Sequence, residues 1–329
     1  MQYPKNGKLF ARSYCDPDVF LGVEDKFYYN KGGGVFIDRS NRAGIGRYKL
    51  RGMGVVSGDI DNDGDIDVVA TGFYDHRVVW YENDGSQSFT QSDDLSSGVN
   101  GPREIWPVDL DLDGDIDILS AIYFQEDLVW YENDGSQSFT KRTIDASLGG
   151  KGNSVFAVDL DGDNDLDIVC GTYDTSTLYW FENDGTQTFT RYAIASGNTT
   201  SPTVIDLDED GDLDLVGRFN DGSEKIVWFE NDGSESFDQN LIDNVESRIL
   251  EVIDLDEDGD YDIVAPDNAN GHVLWYANNG SESFTKNTID NSGMSNVACI
   301  GVGDIDGDGD IDVADMIHEY LFEHIEPLD

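Results

Sequence analysis

DIDNDGDID, at Asp59–Asp67, is the stretch from which the rest of the chain is read. It returns as DLDLDGDID at Asp109–Asp117, DLDGDNDLD at Asp159–Asp167, DLDEDGDLD at Asp206–Asp214, DLDEDGDYD at Asp254–Asp262 and DIDGDGDID at Asp304–Asp312. Successive copies begin 50, 50, 47, 48 and 50 residues apart. A second motif follows each of the first five copies: WYENDGSQSFT at Trp80 and Trp130, WFENDGTQTFT at Trp180, WFENDGSESFD at Trp228 and WYANNGSESFT at Trp275. Two signatures in fixed phase mark a repeat protein, in which one unit cannot bury its own apolar faces and must stack on copies of itself.

Each unit carries short strand signals and no helical period. In the second unit these are EIWPVDL before the acidic loop, DILSAIY after it, DLVWYEN next, and SFTKRTI after the Asn-Asp-Gly turn. The runs are rich in β-branched and aromatic residues, and Gly, Asn and Asp fill the turns. This pattern predicts one antiparallel four-stranded sheet per unit. Radial stacking of such sheets is the propeller solution to exposed edges, whereas linear β-solenoids have much shorter repeats.

The N-terminal region holds a degenerate copy. DKFYYNKGGGVFIDRS, from Asp25 to Ser40, aligns with the tryptophan-motif strand pair, and KLFARSY and VFLGV supply two strands before it. Residues 8–41 are then a blade without an acidic loop, residues 52–329 are six blades with one, and 329/7 is 47 residues per blade. The expected fold is a single all-β domain over residues 1–329, a seven-bladed β-propeller with its acidic loops between first and second strands. The last unit has no clear fourth strand, so the ring is expected to close by pairing with the extreme N-terminal residues.

The acidic loops point to a cation. Asp at positions 1, 3, 5 and 9, with Gly at 6, places carboxylates around one point where the chain doubles back. Hard oxygen ligands at this spacing suit Ca2+, with the backbone carbonyl of position 7 and water completing the shell. Carboxylates this close repel strongly without a counter-charge. The candidate ligands are Asp59, Asp61, Asp63, Asp65 and Asp67, then Asp109, Asp111, Asp113, Asp115 and Asp117, then Asp159, Asp161, Asp163, Asp165 and Asp167. The remaining loops offer Asp206, Asp208, Asp210, Asp212 and Asp214, then Asp254, Asp256, Asp258, Asp260 and Asp262, then Asp304, Asp306, Asp308, Asp310 and Asp312. About six Ca2+ ions are expected, including one in the third loop, where Asn164 replaces the glycine and tolerates the left-handed conformation.

An EF-hand needs a bidentate acid at position 12. The first five loops have Ala70, Ser120, Cys170, Gly217 and Ala265 there, which are strand positions. The sixth has Asp315, and DIDGDGDIDVADMIHEYLF also resembles a dockerin-type calcium loop running into a helix.

The D-x-D-x-D-G-D-x-D loop followed by WYEN-x-G resembles the FG-GAP or VCBS repeats of bacterial extracellular proteins and, more distantly, the calcium-binding blades of integrin α-subunit propellers. The resemblance covers nearly the whole chain, and FIDRSNRAGIG before the first loop is similar to propellers of that wider group. It implies the fold, calcium, and an extracellular or cell-surface location. It names no ligand, because fold alone does not settle function.

Composition narrows the partners. The formal net charge is −48, so nucleic acid and anionic membrane surfaces are poor partners. No apolar run reaches about 18 residues, and no signal peptide is visible in the opening residues. Cys15, Cys170 and Cys299 lack disulfide-framework or metal spacing and read as buried small hydrophobes.

The end of each sheet opposite the acidic loops varies in sequence, as a recognition surface does. Phe73, Tyr74, Tyr123, Phe124, Tyr173 and Phe219 end second strands and are candidates to stack on sugar rings, or equally to cap the spaces between blades. Five cations lie between Arg39 and Arg51, and Arg103, Lys151 and Arg248 precede other first strands at roughly the phase of Arg51. They suit carboxylate or sulfate groups, or else neutralise an acidic rim. Arg51, Tyr74, Arg103, Tyr123, Lys151, Tyr173, Phe219 and Arg248 are therefore the candidate ligand residues. The leading reading is a calcium-stabilised module binding a glycan, possibly an acidic polysaccharide, or an extracellular protein. A lyase or hydrolase using Tyr74 or Tyr123 with Arg103 is the alternative, and an adhesive surface protein is the third. His76, His272, His318 and His324 are spread over three units and form no catalytic motif.

Overall fold

A computed structural model describes residues 26–31, 35–45, 50–92, 95, 98–174, 177–233, 236–280, 283–291, 293, 297–304 and 309–317. These fall into two units, one within Tyr14–Asn198 and one within Thr199–Asp329.

The first unit opens with a hairpin of β1 (Tyr28–Asn30) and β2 (Phe36–Asp38), followed by the short helix α1 (Ser40–Ala43). The hairpin is the strand pair expected from DKFYYNKGGGVFIDRS; KLFARSY and VFLGV lie outside the described residues. Three four-stranded sheets follow. They are β3 (Gly52–Gly58), β4 (Asp67–Gly72), β5 (Arg77–Asn83) and β6 (Phe89–Gln91); β7 (Pro102–Val108), β8 (Asp117–Ile122), β9 (Asp127–Asn133) and β10 (Phe139–Asp145); and β11 (Gly152–Val158), β12 (Asp167–Thr172), β13 (Thr177–Asn183) and β14 (Phe189–Ser196). In each sheet consecutive strands pair antiparallel, so every acidic loop joins first to second strand as expected.

The second unit repeats the pattern with β15 (Asn198–Ile205), β16 (Asp214–Asn220), β17 (Glu224–Asn231) and β18 (Phe237–Asp243), then β19 (Glu251–Ile253), β20 (Asp262–Asp267), β21 (His272–Ala277) and β22 (Thr285–Asp290). It ends on a pair, β23 (Val297–Gly303) and β24 (Asp312–Ile317). The residues after the sixth loop thus form a strand antiparallel to β23, not the helix of the dockerin-like alternative. Among the described residues there are five four-stranded and two two-stranded sheets.

Burial follows the stacking logic. The second strands β8, β12 and β20 are buried at every position, and β8 packs Ile118 into the core shared with the preceding sheet and Leu119 into the core shared with the following one. The fourth strand β10 is largely exposed. Ile60, Val69 and Trp80 of one repeat share a core with Ile105, Ile118, Val129 and Tyr131 of the next. In the second unit Val216 and Trp228 meet Ile263, Leu274 and Tyr276 in the same way. Trp80, Trp180 and Trp228 are core residues at 2%, 1% and 2% exposure, and Cys170 is a free, buried thiol.

Candidate functional site: acidic loops at one end of the sheets, an aromatic platform at the other

At one end of each four-stranded sheet, the loop carboxylates converge. Ligand oxygens of Asp59, Asp61 and Asp63 lie within 4.8 Å of one another, as do those of Asp109, Asp111 and Asp113, of Asp159, Asp161 and Asp163, of Asp206, Asp208 and Asp210, and of Asp254, Asp256 and Asp262. Position 1 is anchored by position 6: Asp59 Oδ2 accepts from the Gly64 N–H at 3.0 Å, and Asp109 Oδ2 from Gly114 at 3.0 Å. Asn164 does the glycine's work in the third loop, with φ 78° and its N–H 3.1 Å from Asp159 Oδ2. The other oxygen of Asp59, Asp109, Asp206 and Asp254 is buried with no donor. Buried carboxylate oxygens without donors, beside further carboxylates, are what a cation would satisfy. An all-oxygen donor set suits a hard divalent cation such as Ca2+. Burial first, then neighbouring carboxylates, pushes Asp111 above the usual carboxylate range, and Asp161 and Asp208 are raised by burial and neighbouring carboxylates too.

Positions 7 and 9 have further duties that sequence reading missed. Asp67 is fully buried, accepting from the Ile60 N–H at 3.3 Å, Trp80 Nε1 at 3.0 Å and the Asn83 N–H at 2.7 Å. Asp117 accepts from Leu110 and Asn133, Asp167 from Leu160 and Asn183, Asp214 from Leu207 and Asn231, and Asp262 from Leu255 and Asn278. Desolvation raises these carboxyls, to about 6 for Asp67, about 7 for Asp117, about 6 for Asp167 and about 6 for Asp214. The signal was the Asn of each tryptophan motif, recurring 16 or 17 residues after position 9. The position-7 side chains Asp65, Asp115, Asp165, Asp212 and Asp260 instead lie against Gly85, Gly135, Gly185, Gly233 and Gly280, so closely that a Cβ there would collide. Asp306 and Asp308 lie outside the described residues, and Asp304, Asp310 and Asp312 belong to that same sixth loop.

At the opposite end of the first unit's sheets, aromatic and cationic side chains gather. Backbone bonds set the frame: the Phe73 N–H donates to the Arg51 carbonyl at 3.0 Å, Tyr123 to Gly101 at 2.8 Å and Tyr173 to Lys151 at 2.8 Å. Phe73, Tyr123 and Tyr173 are thus equivalent positions, as are Arg51, Gly101 and Lys151. Ring centroids are 4.8 Å apart for Phe73 and Tyr74, 5.3 Å for Phe73 and Tyr123, 5.1 Å for Tyr123 and Phe124, and 6.0 Å for Tyr123 and Tyr173. The Arg51 guanidinium lies 5.3 Å from the Tyr74 ring, Arg103 lies 5.3 Å and 5.7 Å from Tyr123 and Tyr173, and Lys151 Nζ lies 5.2 Å from Tyr123. Two cations are ion-paired within the cluster, Arg51 with Asp75 at 3.0 Å and Lys151 with Asp174 at 3.3 Å. The backbone N–H of Lys151, and then its ammonium, hold Asp174 below the usual carboxylate range. Phe124 and Tyr173 remain 43% and 44% exposed.

The profile of FG-GAP-like repeats matches the chain five times, over residues 59–120, 109–170, 159–217, 206–265 and 254–314. The chain belongs to the FG-GAP-like repeat family. Its fold is that of FG-GAP repeat β-propellers. A lectin of Agrocybe aegerita, solved for its specific recognition of non-reducing terminal N-acetylglucosamine, has a similar fold, with TM-score 0.55 and 18% identity over 81% of this chain and 74% of the lectin. A protein from Lactobacillus plantarum matches with TM-score 0.51 and 12% identity, over 77% of this chain and 75% of that one. No curated protein sequence matches.

The first strand of each FG-GAP-like repeat in the first unit is bulged at its platform end. Register shifts fall between Gly52 and Val55, between Pro102 and Glu104, and between Gly152 and Ser154. A bulge re-aims a side chain at a strand end, and here the middle one carries Arg103. Six of the eight candidate ligand residues are brought together: Arg51, Tyr74, Arg103, Tyr123, Lys151 and Tyr173. Two are not. Phe219 is 1% exposed, its ring edge-on to Phe229 at 5.6 Å, so it offers no stacking face. Arg248 is an exposed residue of the second unit. Phe124, left off the ligand set, is exposed as Tyr173 is; the signal was Gly101, whose missing side chain leaves room for it.

Proposed function

We propose that the chain is a calcium-stabilised extracellular binding module that recognises a glycan through the platform of Tyr74, Tyr123, Phe124 and Tyr173. The observation that carries this reading is the pair of half-exposed rings, Phe124 and Tyr173, set among cations already held by Asp75 and Asp174. Exposed aromatic faces stack on the C–H face of a pyranose, and fixed ion pairs present donors and acceptors to its hydroxyls. Because Arg51 and Lys151 each have an aspartate partner, a neutral sugar is the better-supported ligand, and an acidic polysaccharide is the second reading. Calcium in the acidic loops holds the sheets that carry the platform. The finer architecture we propose is the seven-bladed ring of the repeat count, with β1 and β2 belonging to its degenerate blade. Among the described residues no helix is long and apolar enough to cross a membrane.

The test is a glycan array at constant calcium, followed by titration calorimetry with the best neutral and best uronate-containing hits. Tyr173→Ala is expected to weaken binding by roughly tenfold, the worth of one stacking contact. Retained affinity in Tyr173→Ala and Phe124→Ala, or an array without hits, refutes the reading. Preference for uronate that Arg103→Ala abolishes selects the acidic ligand, and release of unsaturated product from it selects the lyase alternative.

A further inference from the structure

The first two acidic loops are tied to each other by side chains. Gln137, in the Asn-Asp-Gly turn of the second repeat, donates from Nε2 to Asp61 Oδ2 at 2.8 Å. Asp61 is position 3 of the first loop. In return Asn62, position 4 of that loop, donates from Nδ2 to Asp115 Oδ1 at 2.7 Å and to the Gly114 carbonyl at 3.4 Å. Asp115 is position 7 of the second loop, the residue whose carbonyl is expected in a calcium shell, and its side chain packs on Gly135 of the turn that carries Gln137. Asn133 Nδ2 adds a backbone link to the Ile60 carbonyl at 2.9 Å. The path from Asp61 through Gln137, Gly135, Asp115 and Asn62 returns to its start.

We propose that Gln137 and Asn62 couple the first two cation sites, so that filling either loop raises the affinity of the other. The inference rests on the calcium reading of the loops. A partner that holds a ligand carboxylate in place sets its orientation, and losing such a partner typically lowers metal affinity by about 10- to 100-fold. Here the partners are exchanged. A cation that fixes Asp61 also fixes the Gln137 turn against Asp115, and a cation that fixes the Asp115 carbonyl holds Asn62 beside Asp61.

Chemistry restricts the arrangement to this pair. Position 4 has a left-handed backbone in each described loop, but it is Leu112, Gly162, Glu209 or Glu257 in the later ones, none of which has an amide to donate. Gln87, at the turn position equivalent to Gln137, accepts instead from Arg39 at 2.6 Å, and no acidic loop precedes its repeat in the sequence, which makes it an internal control. A mere staple between repeats would make Gln87 and Gln137 equal.

Hydrogen exchange by mass spectrometry on the full chain, across a calcium titration, reads peptides over 59–67 and 109–117 separately. Asp111→Asn is used to weaken the second site. In the native background it is expected to raise the calcium midpoint of the first loop by about tenfold. In the Asn62→Ala/Gln137→Ala background that shift disappears. Gln137→Ala alone raises the first-loop midpoint, while Gln87→Ala leaves it unchanged. A first-loop midpoint indifferent to Asp111→Asn, or a Gln87→Ala shift as large as that of Gln137→Ala, overturns the coupling. If Asp111→Asn does not fold, the comparison of Gln137→Ala with Gln87→Ala decides alone. Native mass spectrometry separates the two failures: bound calcium with independent midpoints sinks only the coupling, whereas no bound calcium sinks the calcium reading as well.

Discussion

Gly101 is the residue on which the platform turns. Its φ of 77° suits glycine, and a Cβ there would sit 2.5 Å from Phe124 Cδ2. Arg51 and Lys151 occupy the equivalent position in the flanking repeats, and each reaches an aspartate of its own loop; the middle repeat gives up that cation to seat a ring. Gly101→Ala is therefore expected to cost about 1–3 kcal/mol in a denaturant melt and to weaken glycan binding with it, since Phe124 must move. Loss of stability with unchanged binding would remove Phe124 from the ligand surface. At this scale residue type was a poor guide. Phe219 and Tyr173 both end second strands, but one is sealed against Phe229 and the other is exposed. Alternating residue types along a strand do not say which neighbour covers it.

Within one acidic loop, alike carboxylates have different work. Asp117 holds the N–H groups of Leu110 and Asn133 and so ties the loop to β9 whether or not a cation is bound. Asp111 has a buried, donorless oxygen. Asp117→Ala is expected to destabilise by about 3 kcal/mol even in chelator, because two buried N–H groups lose their acceptor. Asp111→Ala should cost little in chelator and abolish part of the stabilisation by calcium. Equal losses in both conditions, in a melt with and without chelator, would show that the two positions do not divide the labour. The loop's position between strands was legible from the spacing, because the residues at position 12 are strand residues. The staple left only the fixed 16- or 17-residue interval to the motif Asn as its trace, since the folded sheet is what shows Asn133 back beside Asp117.

Over the whole molecule the net charge of −48 opposes folding unless cations are bound. Ligands that bind only the folded state stabilise it by mass action, so excess calcium should raise the Tm and chelation lower it. With chelator present, about 1 M NaCl shortens the screening length to about 3 Å and should restore part of the loss. A Tm indifferent to chelator and to salt would mean that the loops hold no ion. The sequence by itself determined the repeat, the four strand signals of the repeat and the convergence of acids, because these follow from local periodicity: a 50-residue period and odd-numbered aspartates around a glycine are properties of neighbours along the chain. Only the tertiary structure decided which aspartates are staples, that Phe124 is exposed, that six candidate residues meet at one end of the first unit, and that Asn62 and Gln137 reach across repeats. Those are relations between residues 7 to 76 positions apart, and their distances depend on how strands pair and sheets pack face to face, which no local pattern encodes.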